Sequence, residues 1–317
     1  MTTGQTTTPG KLKPHLALIF ANVLFGMNFS FYVSIIHHYM DFEDLFFFRV
    51  AFAAVCFVPW TFFSQRYRIP AKDFVKILIP TVLVIYGHEF MMLWGAEYTN
   101  PVDASTIATM APIVTLVVSA RMLHERLHMA KVIGVILAFI GAAVLILGNG
   151  IPVLRSREFG NLFMFISVLA AATNTIFIKP SLMRYGTILV TGWYYIIGLV
   201  ISAPFFAKGL MHYDFASLPV AGGLEIAYIL VLGTVLPNYL LYYGTEKLTS
   251  VHTALYRYIQ PVIAGILALV RGQAVFDAAN IVALAFIFAG VVLVVIGYKY
   301  YVRHGLPPVG HDGRLRT

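Results

Sequence analysis

The strongest constraint on this chain is a duplication. Gly95, Glu97, Pro112, Gly141 and Gly148 recur in one ungapped register as Gly244, Glu246, Pro261, Gly290 and Gly297, a shift of 149 positions. All are glycine, proline or charged residues in a background rich in Leu, Ile and Val. The register therefore marks two copies of one unit. Whatever the chain folds into, it builds twice.

The unit belongs in a membrane. Hydrophobic residues make up 59% of the 317 and charged residues 11%, against about 25% charged in soluble domains. The apolar residues fall into runs of about twenty, enough to cross a bilayer core as a helix. Ten runs are predicted, at about 15–36, 45–64, 74–97, 102–122, 130–148, 160–179, 188–207, 219–243, 251–271 and 279–298. The first follows Lys11 and Lys13 like a signal peptide, but it continues to about Ile36 without a small-residue cleavage site. A retained span is expected. The single cysteine, Cys56, excludes a disulfide framework and a cysteine-based metal site.

The net charge of +8 does not point to nucleic acid. Arg66, Arg68, Lys72, Lys76, Arg121, Arg126, Lys131, Arg184, Lys247, Lys299, Arg303, Arg314 and Arg316 fall on one side with Lys11 and Lys13; the other side has Asp41, Glu43 and Asp44, with Arg155, Arg157, Lys208 and Arg271 as its only cations. Such a bias expects both termini in the cytoplasm. The expected organisation is a cytoplasmic tail over 1–14, a first five-helix repeat over 15–148, a connecting loop over 149–159, a second repeat over 160–298 and a cytoplasmic tail over 299–317. Five spans is an odd number, so the second copy enters the membrane from the opposite face. The fold class is thus an all-α membrane protein of ten helices in two inverted repeats, an architecture that places a substrate site near the midplane.

Several residues carry a family resemblance. Each unit has a proline in its fourth span, Ala104-Ser105-Thr106 precedes Pro112, and Glu125-Arg126-Leu127 is followed by Ile133-Gly134. Together these resemble the EamA-type branch of the drug/metabolite transporter superfamily, over about residues 15–298. The chain departs from that pattern where His124-Glu125 replaces the usual Gly-Glu and Gly272-Gln273 stands in the second copy. The resemblance implies a permease of the inner (cell) membrane, often an exporter of amino acids or other small metabolites.

One motif points elsewhere. His124-Glu125-Arg126-Leu127-His128 fits the zinc-peptidase pattern H-E-x-x-H, which needs both histidines on one helical face and a third ligand. It falls at a junction between spans, among Arg121, Arg126 and Lys131, with no third ligand segment. A cytoplasmic loop is the better account, and no metal site is assigned. No phosphate-binding glycine loop occurs, so no nucleotide or redox cofactor is implied.

The substrate candidates are polar residues inside spans. A charge at mid-span costs about 2.5–3.5 kcal/mol on insertion scales, so it faces a cavity or a partner. His88 and Glu89 interrupt the third span, and the repeat register sets Asn238 opposite Glu89. Glu89 is expected to couple a proton or bind a substrate amine; as a bland alternative it ties helices together. In the ninth span Thr253, Tyr256, Arg257 and Gln260 form a stripe at helical spacing, whereas the matching Ala104, Ile107, Ala108 and Ala111 are small or apolar. Recognition is therefore expected to be asymmetric. Arg257 is the candidate for a carboxylate or phosphate, or else it pairs with Glu89 or Glu225. Trp94 and Tyr242 are candidate aromatic walls, and Asn22, Asn28 and Asn174 weaker lining positions. Pro112 and Pro261 are expected to kink their spans. Gly134, Gly141 and Gly148, with Gly290 and Gly297, mark the fifth and tenth spans as packing or homodimer seams.

The functional expectation is alternating-access transport of a small metabolite, outward and with a proton as coupling partner. The alternatives are an obligate exchanger of phosphorylated or nucleotide-linked metabolites, the zinc protease set aside above, and a membrane scaffold that carries no flux.

Overall fold

A computed structural model describes residues 9–63, 69–122, 129–147, 156–248, 250–273 and 278–303. The His124–His128 motif, Gly148 and residues 149–155 of the connecting loop lie outside them. Ten membrane-crossing segments run through the described residues. They are α1 (Pro9–His38), α2 (Phe42–Phe63), α3 (Ala71–Tyr98), α4 (101–122), α5 (Met129–Leu147), α6 (Arg157–Tyr185), α7 (Thr187–His212), α8 (Val220–Lys247), α9 (250–270) and α10 (Ala278–Arg303). Eight of them contain an apolar stretch of eighteen residues or more among the described residues.

Local chemistry sets the joints. The side chain of Asn100 accepts from the backbone N–H of Val102 and Asp103 and Pro101 takes the first helical position, an N-cap arrangement that starts α4 within two residues of α3. Gly186, at φ +82°, turns α6 into α7 in one residue, a conformation that favours glycine. α6 is longer than the predicted 160–179. Pro180 lies inside it, and the helix runs on to Tyr185.

The duplication is visible in the irregularities. α3 carries a π-helical segment at Ile85–Phe90, and α8 carries one at Val231–Val235. α4 is interrupted between Ala108 and Ala111, and α9 passes through a 3-10 turn at Tyr256–Tyr258. Both interruptions sit just before the repeated prolines, Pro112 and Pro261, as expected from the clash of a proline ring with the preceding turn.

The halves interlock. α1 packs on α8 and α9 of the second half, α6 packs on α3 and α4 of the first, and α2 lies along α7. α5 and α10 pack along each other. A Cβ on Gly141 would lie 2.7 Å from Ile287 Cγ1 and 2.8 Å from the Ala283 carbonyl, and one on Gly290 would run into the Gly134 carbonyl. Of the two expectations for these glycines, packing and a homodimer seam, the contacts bear on the first: Gly134, Gly141 and Gly290 join the fifth and tenth helices within one chain.

Candidate functional site

A cavity opens at mid-height, where the interruptions of α3, α4, α8 and α9 converge. About 740 Å³ of space free of protein atoms lies between its walls, open solvent included. Its walls carry symmetry-related positions: Glu89 and Asn238, Met92 and Leu241, Ala108 and Arg257. The first helix of each half adds an asparagine, Asn28 from α1 and Asn174 from α6. His88, Tyr242 and Gln260 add to the polar lining.

One side holds a charged cluster. Arg49 of α2 is 1% exposed and Glu89 of α3 is 3% exposed. Arg49 Nη2 lies 3.0 Å from Glu89 Oε2, and Arg49 Nε donates to Thr234 Oγ1 at 2.9 Å. The guanidinium sits 4.9 Å from the centre of the Tyr32 ring, within cation–π range. Tyr194 of α7 donates its hydroxyl to Glu89 Oε1 at 3.1 Å. Five helices therefore meet on one ion pair, which supplies the compensation a buried charge needs. The π segment of α8 takes part. The Gly233 carbonyl in it has Pro237, which carries no N–H, at its ordinary donor position four residues on, and accepts instead from Asn28 Nδ2 at 2.8 Å.

Arg257 is different. It is 9% exposed, lines the cavity, and has no carboxylate partner among the described residues. Both anticipated partners are engaged elsewhere: Glu89 with Arg49, and Glu225 with Arg271. Several other buried lining atoms make no hydrogen bond. They include the acceptors Asn28 Oδ1, Asn174 Oδ1 and Glu89 Oε2, together with Arg49 Nη1, His88 Nδ1 and Ser167 Oγ. Unpaired polar atoms inside a membrane protein are costly, and six of the thirteen among the described residues belong to side chains that line this one space.

The anticipated polar stripe of α9 divides. The 3-10 turn at Tyr256–Tyr258 winds more tightly than an α-helix. Arg257 and Gln260 reach the cavity, whereas Thr253 is buried away from it and the Tyr256 hydroxyl meets His15 Nδ1 at 2.5 Å. Asn22 stands behind the wall, accepting from Gln260 Nε2 at 2.7 Å. Trp94 also lies outside the cavity, stacked on Phe42 and packed against Phe90, Phe159 and Phe163. At about 100° per residue it sits some 200° around α3 from the lining Met92. Lys179 extends to the Leu248 carbonyl.

Two charged groups were missed in the sequence reading. Arg49 follows Phe46-Phe47-Phe48 in an apolar run, and the rule that intramembrane charges need partners was sufficient to single it out. Asp103 falls at the start of the predicted span 102–122, just behind Asn100-Pro101, and is not singled out, yet it is 0% exposed. Arg157 Nε and Nη2 donate to its two oxygens at 2.6 and 2.8 Å, Asn161 Nδ2 donates at 2.9 Å, and Asn280 Nδ2 also donates to it. Thr99 donates to Asn161. This knot ties α3, α4, α6 and α10 on the face away from the termini. On the termini's face the ties are more exposed: Asp73 with Lys76, Arg184 and Tyr185, and Glu246 with Thr187.

A duplicated helical membrane domain with a polar, charge-lined cavity at its centre is the construction of a multi-pass transporter. The EamA-like transporter family matches residues 12–147 and 158–296, and the chain belongs to it. Relatives include the uncharacterized transporter YetK of Bacillus subtilis (strain 168), 23% identical over 72% of this chain and 70% of that one. Another is a probable terminal-alkyne amino-acid exporter of Streptantibioticus cattleyicolor, 24% identical over 71% of this chain and 74% of that one. A protein of known crystal structure shares the fold with a TM-score of 0.63 at 16% identity, covering 90% of this chain and 98% of that one.

Proposed function

We propose that the protein exports a small amino acid or similar carboxylate-bearing metabolite by alternating access, binding it in the midplane cavity. The observation that carries this reading is Arg257, a buried guanidinium facing the cavity without a carboxylate partner among the described residues. A substrate carboxylate matches its planar fork. The unpartnered acceptors Asn28 Oδ1 and Asn174 Oδ1 suit the ammonium group of the same molecule. The carboxylate reading is favoured over a phosphorylated substrate, since a phosphate dianion calls for more than the one uncompensated cation. Export rather than uptake is supported by the amino-acid exporter among the relatives. Cytoplasmic termini in a cell (inner) membrane follow from the charge bias of the connections.

The test is efflux from proteoliposomes loaded with labelled amino acids, with and without a proton gradient. Wild-type protein releases at least one amino acid selectively. Arg257→Gln raises the apparent KM at least tenfold, and Arg257→Lys recovers part of the loss. Efflux that survives Arg257→Gln unchanged would remove this reading. Acceleration by the gradient, abolished in Glu89→Gln, assigns the proton to Glu89; gradient-independent efflux makes the protein a facilitator.

A further inference from the structure

The ion pair beside the substrate space has no evident need to be there if its task is only to join helices. Apolar residues of similar volume hold buried helices together as well or better. Nor are the hydrogen-bonding atoms of the pair all satisfied. Glu89 Oε2 and Arg49 Nη1 both make no hydrogen bond, and both residues line the cavity. Their 3.0 Å contact is an attraction of charges without an aligned hydrogen bond. Arg49 is otherwise anchored by Thr234 and by the Tyr32 ring, so it keeps its place if Glu89 loses its charge.

The arginine and carboxylate side chains lining the cavity are three: Arg49, Glu89 and Arg257. Their sum is a single positive charge. With Arg49 matched by Glu89, one guanidinium is left to receive one ligand carboxylate, and in a space of low polarity a second carboxylate without a cation of its own carries a large desolvation cost; an ammonium group is common to the amino acids compared below and cancels between them. Glu89 therefore acts on the ligand through Arg49, by cancelling the second cation.

We propose that the Arg49–Glu89 pair sets the charge selectivity of the site, with Glu89 masking Arg49 so that ligands with one carboxylate are accepted and dicarboxylates are refused. This rests on the cavity being the substrate site, and it deepens that reading by making Glu89 a specificity-determining residue. Repulsion of the wrong ligand by a fixed like charge is a common route to specificity.

The experiment pairs alanine with aspartate, which differ by one carboxylate group; the difference in size is the same for every variant and cancels in the comparison of ratios. Proteoliposomes are loaded with both, separately labelled. Wild-type protein favours alanine, and Glu89→Gln, which preserves shape and unmasks Arg49, raises the aspartate-to-alanine efflux ratio at least tenfold. The double variant Arg49→Met with Glu89→Gln restores the single positive charge and returns the ratio to within about twofold of wild type. An unchanged ratio in Glu89→Gln, or a ratio that stays high in the double variant, overturns the proposal. Thermal stabilisation of the purified protein by acetate and by succinate gives a second readout that needs no amine and no flux. Acetate stabilises wild type more than succinate does, and Glu89→Gln reverses the order. Equal stabilisation of wild type by the two overturns the proposal even if Glu89→Gln does not fold. If neither amino acid leaves wild-type vesicles, the amino-acid reading fails while acetate and succinate still decide the charge rule.

Discussion

Removing the exposed partner of the Asp103–Arg157 pair should harm the protein more than removing the buried one. Asp103 is 0% exposed, while the Arg157 side chain is 26% exposed. In Asp103→Ala the guanidinium loses its two short bonds but can turn to water, and Asn161 keeps its bond from Thr99. The cost falls at the lower end of the range for a broken buried pair, about 3 kcal/mol. In Arg157→Ala the carboxylate cannot reach water. It retains the donors Asn161 and Asn280, yet holds an uncompensated charge, which places the cost near about 4 kcal/mol. The double variant leaves no stranded charge and should cost about 3–4 kcal/mol, far below the roughly 7 kcal/mol of independent effects. Equilibrium unfolding of the four proteins in detergent measures the cycle. Additivity within about 0.5 kcal/mol would refute the coupling, and an Asp103→Ala more damaging than Arg157→Ala would refute the reasoning about which charge is stranded.

Other expectations concern separate parts of the fold. Gly290→Val should lower the unfolding midpoint by the equivalent of about 1–3 kcal/mol, since its side chain meets the Gly134 backbone; Gly290→Ala should cost less. Arg184→Ala should change stability by no more than about 1 kcal/mol, because its side chain is 63% exposed and water screens the pair with Asp73. Gln260→Ala and Asn22→Ala should each cost about 1 kcal/mol and not add, as they share one buried bond; a sum of the two in the double variant would contradict that. Arg49→Met alone should be more damaging than the double variant with Glu89→Gln, because only the single change leaves Glu89 charged and unmatched. Unfolding midpoints read side by side test the order.

Much of the scaffold was legible in the residues, because hydrophobic length and repeated glycines and prolines are local signals. Pro112 and Pro261 located the broken fourth and ninth helices, and His88, Glu89 and Arg257 stood out as charged or titratable groups in apolar runs. The pairing was not legible. Arg49 meets Thr234 across 185 positions and Glu89 meets Tyr194 across 105, and no periodicity reports such contacts. Trp94 and Met92 differ by only two positions, yet one packs among rings and the other lines the cavity. Which face is which depends on helix phase, and the phase is reset by a π segment that composition does not reveal. The glycines of α5 and α10 announced close packing correctly but did not say against what.

The π segments in α3 and α8 also say how the chain would respond to a change in length. A π turn closes one residue later than an α turn, so each segment holds what amounts to an inserted residue. Deleting one residue between 85 and 90 would let that turn relax into ordinary α-helix without opening the hydrogen-bond ladder. The wide turn already absorbs that residue, so Met92 would stay at the cavity and Trp94 among its rings, and the residues from 71 to 84 would keep their faces. A residue lost from the regular α-helix on either side has no such slack and would turn everything beyond it by about 100°. In each of these two helices the π segment is thus the one place where the length can change by a residue without turning the site.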